Sequence, residues 1–209
     1  DLDLLEKGCE NLKAHIETVR RSGVRPVVCV NRFGTDTEAE LRTVRRIAEA
    51  NGALAAVSDH WLRGGEGARE LAETVAAACE EPSEFRFLYP EGTPLRQRIE
   101  TIATEVYGAD GVSYTETAEE KMRLHEEDPR TDNLGACMVK THLSLSHDPA
   151  LKGRPDGWTL PIRDIMVYRG AGLIVPVAGD IKLMPGTGSN PAFRRIDVDV
   201  ETGSVQGLF

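Results

Sequence analysis

The feature that most constrains this chain is a change of hydrophobic period, made repeatedly within its first eighty residues. Leu5, Cys9, Leu12, Ile16 and Val19 recur at steps of three and four, the spacing of one helical face, and Gly23 ends the run. Directly afterwards comes the unbroken apolar segment VVCV at 27–30, led by Pro26. A short, continuous β-branched run of this kind predicts a strand covered on both faces. Thr37 and Glu40 stand at capping-box spacing, Leu41, Val44 and Ile47 resume the helical period, and Asn51-Gly52 stops it. A second strand is predicted over 54–58, and after a loop at 60–67 a third helix carries Ala68, Leu71, Val75 and Ala78 on one face. Helices alternating with strands in this way form crossover units on a parallel sheet, so the fold class is α/β.

The pattern changes after EEPS at 80–83. A strand is predicted at 85–89, then a helix from Pro94 with Leu95, Ile99, Ile102 and Val106 inward and Gly108 at its end. A strand at 112–115 and a polar helix near 116–127 follow. Further strands are predicted at 136–140, 162–168 and 173–177. In the closing hairpin Ile196, Val198 and Val200 alternate with acidic residues before a Thr202-Gly203 turn. The glycines of GAG at 170–172, of Gly179-Asp180 and of MPG at 184–186 mark turns between these strands or places where backbones approach closely. The expected organisation is therefore an α/β region over 1–80 and a smaller mixed α/β domain over 81–209.

Composition excludes several functions. No apolar run approaches the roughly 18 residues of a membrane span. Net charge is −9 with Lys and Arg dispersed, which argues against a nucleic-acid surface and leaves small molecules as partners. The cysteines at 9, 29, 79 and 137 form no CxxC pair, and two lie inside apolar patterns, so reduced core thiols and a cytoplasmic compartment are expected. There is no internal repeat. The chain opens on DLDLLEKG, already helical in pattern and without Met, which reads as the back part of something longer.

Functional candidates sit where the strands end, since ligands of open parallel sheets bind beyond the carboxyl ends of their strands. NRFGTD at 31–36 leaves the first strand and SDHW at 58–61 the second, each offering one aromatic, Phe33 and Trp61, in a chain with 5% aromatics. A flat heterocycle held between them gains roughly 1–3 kcal/mol per stacked ring. The plain alternative is that both rings cover the sheet end. NRFGTD fails as the NKxD guanine loop, because Asp36 lies two positions late and no GxxxxGK[ST] phosphate loop is present. Gly64, Gly65 and Gly67 open a helix and offer backbone N–H groups to an anion, or simply make a tight turn. His142, His147 and Asp148 lack a third ligand pattern, so no metal site is expected. Nucleophilic catalysis has no local signature. Lys140 reaches a ligand or, more commonly, is a solvated or paired charge.

Longer blocks carry a resemblance. GCENLKAHIETVRRSGVRPVVCVNRFGTDTEAE, HWLRGGEGARELAETV, IETIATEVYGADGVSY, CMVKTHLSLSHDP, IRDIMVYRGAGLIVPVAGDIKLMPG and the terminal IDVD with GLF are similar, in order along the whole chain, to formate–tetrahydrofolate ligase. The resemblance implies a P-loop-NTPase-like family fold lacking its phosphate-loop portion. It also implies ATP-dependent formylation of tetrahydrofolate through formyl phosphate, releasing ADP and phosphate. ATP with Mg and tetrahydrofolate are then substrates, and no tightly bound cofactor is implied. Phe33 and Trp61 would sandwich the pterin or adenine ring, Gly64, Gly65 and Gly67 would line the same cleft, and Asp36 would orient its loop or contact ligand. The catalytic phosphate loop and its cationic residues would lie in an amino-terminal part, so this chain is expected to be incomplete alone, and a homo-oligomer, possibly a tetramer, is implied. A non-catalytic heterocycle-binding module derived from that fold is the alternative. Two departures from the family pattern stand out: Gly34 in place of Pro, and Gly188-Ser189-Asn190 in place of Pro-Lys.

Overall fold

The computed structural model describes residues 1–179, 181 and 190–207. Helix α1 (Leu2–Arg21) is capped by Asp1, whose carboxylate accepts from the Leu4 N–H, and it buries Cys9, Ala14 and Ile16. Strand β1 (Val27–Asn31) pairs in parallel with β2 (Leu54–Ser58), in a register that runs from Val27–Leu54 to Asn31–Ser58. Helix α2 (Glu38–Ala50) joins them and packs with α1, so that Ile16, Ala48, Ala53 and Ala55 form one buried cluster. The loop expected at 60–67 is instead a one-turn helix α3 (His60–Arg63) running into a 3-10 turn (Gly64–Ala68). Helix α4 (Arg69–Cys79) then packs across β2 and β1.

Two expectations for this region are corrected. Strand β1 is only partly covered: Val30 is buried and Val27 and Val28 are half-buried, but Cys29 is exposed. Helix α4 buries none of its residues fully, and Val75 of its apolar stripe is exposed.

The second sheet has the order β3-β5-β6-β4. Strand β3 (Gly111–Tyr114) runs parallel to β5 (Thr159–Tyr168), β5 antiparallel to β6 (Leu173–Ala178), and β4 (Gly135–Ala136) parallel to β6. The strand expected over 136–140 is regular for two residues only. Beyond them Cys137 and Val139 still donate to the Ile174 and Pro176 carbonyls at 2.9 Å, so the segment stays beside β6. Helix α5 (Leu95–Thr101), continued by a π-helical turn (Ile102–Val106), and helix α6 (Glu116–Glu126) cover this sheet. Their apolar faces join Leu160, Ile162, Ile165 and Ile174 in one core that holds Ile99, Ala103, Ala118 and Met122 with almost no exposure. A short hairpin, β7 (Asp197–Val198) with β8 (Val205–Gln206), closes the described chain and leaves Val198, Val200 and Val205 exposed.

The strand expected at 85–89 is absent. The backbone bonds of that segment go to the end of α1, Glu84 N–H to the Gly23 carbonyl and Arg86 N–H to the Ser22 carbonyl, so β propensity there finds no partner strand. Phe85 and Phe87 instead meet edge to face, with centroids 5.2 Å apart. The cysteines are also corrected: all four are free, yet only Cys9 is buried. The expected turns at Asp180 and 184–186, and the 188–189 part of the variant loop, lie outside the described residues. Among those residues no helix is long and apolar enough to cross a membrane.

Candidate functional site

The site begins at the last rung of the first sheet. Asn31 stands opposite Ser58, and the Arg32 N–H extends the ladder one residue further by donating to the Ser58 carbonyl at 2.9 Å. Neighbouring strands lie about 4.8 Å apart, so loops leaving this rung together begin side by side. Phe33 follows two residues after Asn31, and Trp61 three after Ser58. Both line a cavity of about 900 Å³ with Asn31, Arg32, Gly34, Asp59, His60 and Leu62. Trp61 is 91% exposed and Phe33 65%. Both rings therefore stand at the surface of the described chain.

The loop that carries each ring is held by polar groups. The Phe33 N–H donates to Asp36 Oδ2 at 2.7 Å, and the Asp36 N–H returns a bond to the Phe33 carbonyl at 3.1 Å. Thr37 then caps α2: its N–H and hydroxyl donate to Glu40 Oε2 at 2.9 and 2.8 Å, and the Glu40 N–H donates back to Thr37 Oγ1 at 3.3 Å. The Thr37 N–H, and after it the hydroxyl, hold the Glu40 carboxyl below the usual carboxylate range. Arg32 pairs with Glu38 at 2.9 Å across the same loop.

On the Trp61 side, buried Ser58 places its hydroxyl 2.9 Å from His60 Nδ1, which fixes the start of α3. Asp59 donates its N–H to the Gly67 carbonyl at 3.1 Å. A Cβ on Gly67 would lie 2.4 Å from Asp59 Oδ1 and 2.7 Å from the Asp59 carbonyl carbon, so only glycine admits this approach. Gly64 adopts φ +60°, where α3 turns into the 3-10 segment.

Of the residues singled out from the sequence, the structure brings Phe33 and Trp61 to one cavity. Asp36, Gly64, Gly65 and Gly67 are not among its lining residues. Asp36 shapes the Phe33 loop, and Gly67 seats the turn behind Trp61. Asn31, Arg32, Asp59, His60 and Leu62 were not foreseen as lining residues, although their places flanking the two aromatics at the strand ends were the available signal.

Other candidates resolve into structural roles. Lys140 is tied down, its Nζ donating to the carbonyls of Thr141 at 2.9 Å, Ser146 at 3.2 Å and Ser144, and lying 4.8 Å from the Tyr107 ring centre; burial lowers its pKa. His147 stacks against Trp158, with centroids 5.9 Å apart. Among the described residues, no three His, Cys, Asp or Glu side chains gather as a metal site.

The family model described as formate–tetrahydrofolate ligase matches residues 1–209. This chain belongs to the formate–tetrahydrofolate ligase family. Proteins named formate–tetrahydrofolate ligase from Dehalococcoides mccartyi, Desulfotalea psychrophila and Syntrophobacter fumaroxidans are similar to it. The first is 66% identical over 206 residues, covering 99% of this chain and 34% of the relative. The second is 61% identical over 205 residues, covering 98% and 37%. The third is 59% identical over 209 residues, covering 100% and 36%. The chain thus spans about a third of the length of the curated relatives it matches. Most of each such ligase consists of sequence that this chain does not contain.

Proposed function

We propose that this chain is the folate- and nucleotide-base-binding part, carboxyl-terminal in position, of a formate–tetrahydrofolate ligase. The ligase joins formate to tetrahydrofolate at the expense of ATP, by way of formyl phosphate. The observation that carries this reading is the pair of exposed rings, Phe33 and Trp61, lining one cavity at the ends of adjacent parallel strands. Their faces supply stacking area, and Asn31, Asp59 and His60 supply hydrogen-bonding groups to the edge of a heterocycle. Neither ring is paired with another ring among the described residues, so both faces are free to accept a planar ligand.

In this reading residues 1–80 continue a larger P-loop-NTPase-like parallel sheet, and 81–209 form a smaller mixed domain. The open side of β1 is consistent with further strands or helices contributed by the remaining two thirds of the ligase. Phosphoryl transfer depends on positioned cations and backbone N–H groups around the phosphates. The sequence holds no phosphate loop, so this part binds rings and leaves the transfer to the amino-terminal part. ATP, with the Mg²⁺ it carries, and tetrahydrofolate enter as substrates. The whole enzyme is taken to be a cytoplasmic homo-oligomer.

Calorimetric titration of the 209-residue chain with tetrahydrofolate tests the reading. Phe33→Ala and Trp61→Ala should each weaken binding by about tenfold or more, as loss of one stacking face predicts. Unchanged affinity in both variants rejects the clamp. Formyl transfer from ATP and formate should be absent with the chain alone and appear when the rest of the enzyme is supplied. Activity of the 209 residues by themselves contradicts the division of labour. No activity in the reconstituted pair, with folate binding intact, leaves the non-catalytic binding module as the reading.

A further inference from the structure

A second cavity, of about 610 Å³, lies away from the ring clamp, between the irregular segment that precedes α5 and the start of β4. Its apolar wall includes Phe87, Leu88, Ile102, Leu134 and Ala136, and Arg98 of α5 also lines it. Arg98 is only 7% exposed. Its Nη1 donates to the Leu134 carbonyl at 2.5 Å, whereas its Nε is buried with no acceptor among the described residues. No carboxylate among those residues pairs with it. A guanidinium stays protonated at any ordinary pH, so it cannot escape burial by losing its charge. An unpaired buried cation is costly, and an anion beside it removes most of that cost.

The place of this cavity in the fold separates it from the clamp. The segment ahead of it is bonded at Glu84 and Arg86 to the end of α1, near the start of β1, whereas Phe33 follows the other end of that strand. The four steps of this five-residue strand put roughly 13 Å between its two ends. Glu91 and Asp132 also line the cavity, so its charge favours a monoanion over a phosphate monoester, which carries about −1.5 to −2 at neutral pH. A planar carboxylate matches the guanidinium fork.

We propose that this cavity is a binding site for a small organic carboxylate, with its anion on Arg98 and its apolar body against Phe87, Leu88, Ile102, Leu134 and Ala136. The inference does not rest on the ring clamp.

Phenylacetate and its neutral counterpart phenylacetamide are suitable probes, titrated into the 209-residue chain and followed by amide proton–nitrogen NMR. Saturable shifts are expected at residues 87–92 and 134–136, with phenylacetamide binding about tenfold or more weakly, since it cannot neutralise the guanidinium. Ala136→Leu narrows the cavity without altering Arg98 and should abolish the shifts. Arg98→Met, with its fold checked by circular dichroism, should reduce phenylacetate to the affinity of the amide. Phe33→Ala should leave all of this unchanged, so failure of the clamp and failure of this site are told apart. Equal affinity for acid and amide overturns the proposal, as does binding that survives Ala136→Leu. Absence of saturable shifts at millimolar phenylacetate also overturns it and assigns the counter-charge to protein outside the described residues. Tighter binding of phenyl phosphate than of phenylacetate overturns the monoanion assignment.

Discussion

The first sheet and the second use their side chains differently. Around β1 and β2 the buried cluster is small and alanine-rich, with Ile16 as its largest member, and aromatics stand exposed at the strand ends. Around β5 and β6 the cluster is three times as populous and, beside its alanines, contains Ile, Leu, Met and Trp, with Trp158 buried and its Nε1 donating to the Pro155 carbonyl at 3.0 Å. Burial of large side chains contributes about 1.5–3 kcal/mol each, so the second region carries most of the hydrophobic stabilisation of the described fold. The first region holds its site rigid by local polar devices: a capping box, an Asp36 hook on Phe33 and a glycine seat under Asp59. Exposed rings need not belong to the core when the backbone beneath them is fixed by hydrogen bonds.

The largest effect that sharpens this contrast is in the second core. Ile99→Ala should cost about 2–5 kcal/mol, and Ile16→Ala should fall at the low end of that range because its small alanine neighbours leave less packing to lose; urea denaturation measures both. Equal losses break the contrast. Next comes Gly67→Ala, whose new methyl meets Asp59 backbone that cannot swing away. A cost of about 1–3 kcal/mol and weaker folate binding are expected by thermal melting and titration. A neutral result there removes the argument that the seat under Trp61 is rigid.

Thr37→Ala should cost about 1 kcal/mol, the usual worth of a helix cap. The effect depends on pH with a definite sign. The folded Glu40 carboxyl lies below its unfolded value, so its share of the stabilisation is present above an unfolded pKa of about 4.3 and is lost as pH falls through the folded value. The penalty of Thr37→Ala, measured by chemical denaturation across pH, therefore shrinks in acid. A penalty independent of pH separates the carboxylate from the cap. The smallest effect is expected at Gly34, which has no positive φ and no neighbour within 4 Å of a built Cβ. Gly34→Ala should stabilise by about 0.4–1 kcal/mol through the unfolded chain, and although Gly34 lines the ring cavity, its open surroundings predict only a small change in folate affinity. Weaker binding in that variant shows that the Phe33 loop relies on glycine after all.

Much of the fold was legible because its signals are local. The capping box at Thr37 and Glu40, the helix ends at Gly23 and Gly108, the strand at 54–58 and the strand expected at 112–115, found at 111–114, follow from periodicity and backbone chemistry that neighbouring residues dictate. Phe33 and Trp61 were singled out because strand ends on a parallel sheet are where ligands bind, and the structure places both, exposed, on one cavity there. The segment at 85–89 misled because β propensity is not a partner strand: Phe85 and Phe87 fit a pleated surface, yet the bonds of Glu84 and Arg86 went to the end of α1. Cys29 misled in the same way, since an apolar run shows what a strand is made of but not how many of its faces are covered.

The amino-acid sequence by itself determined the alternation of elements, the caps and turns between them, the two strand-end aromatics and, through long blocks in order, membership of the ligase family. Only the tertiary structure decided that Phe33 and Trp61 line one cavity while the glycines near them serve the backbone. It alone decided that Lys140 is bound to three carbonyls, and that Arg98 is buried without a paired carboxylate among the described residues. The reason is physical: period and capping act over three or four residues of chain, whereas burial, pairing and convergence depend on residues far apart in sequence that meet only when the sheets assemble.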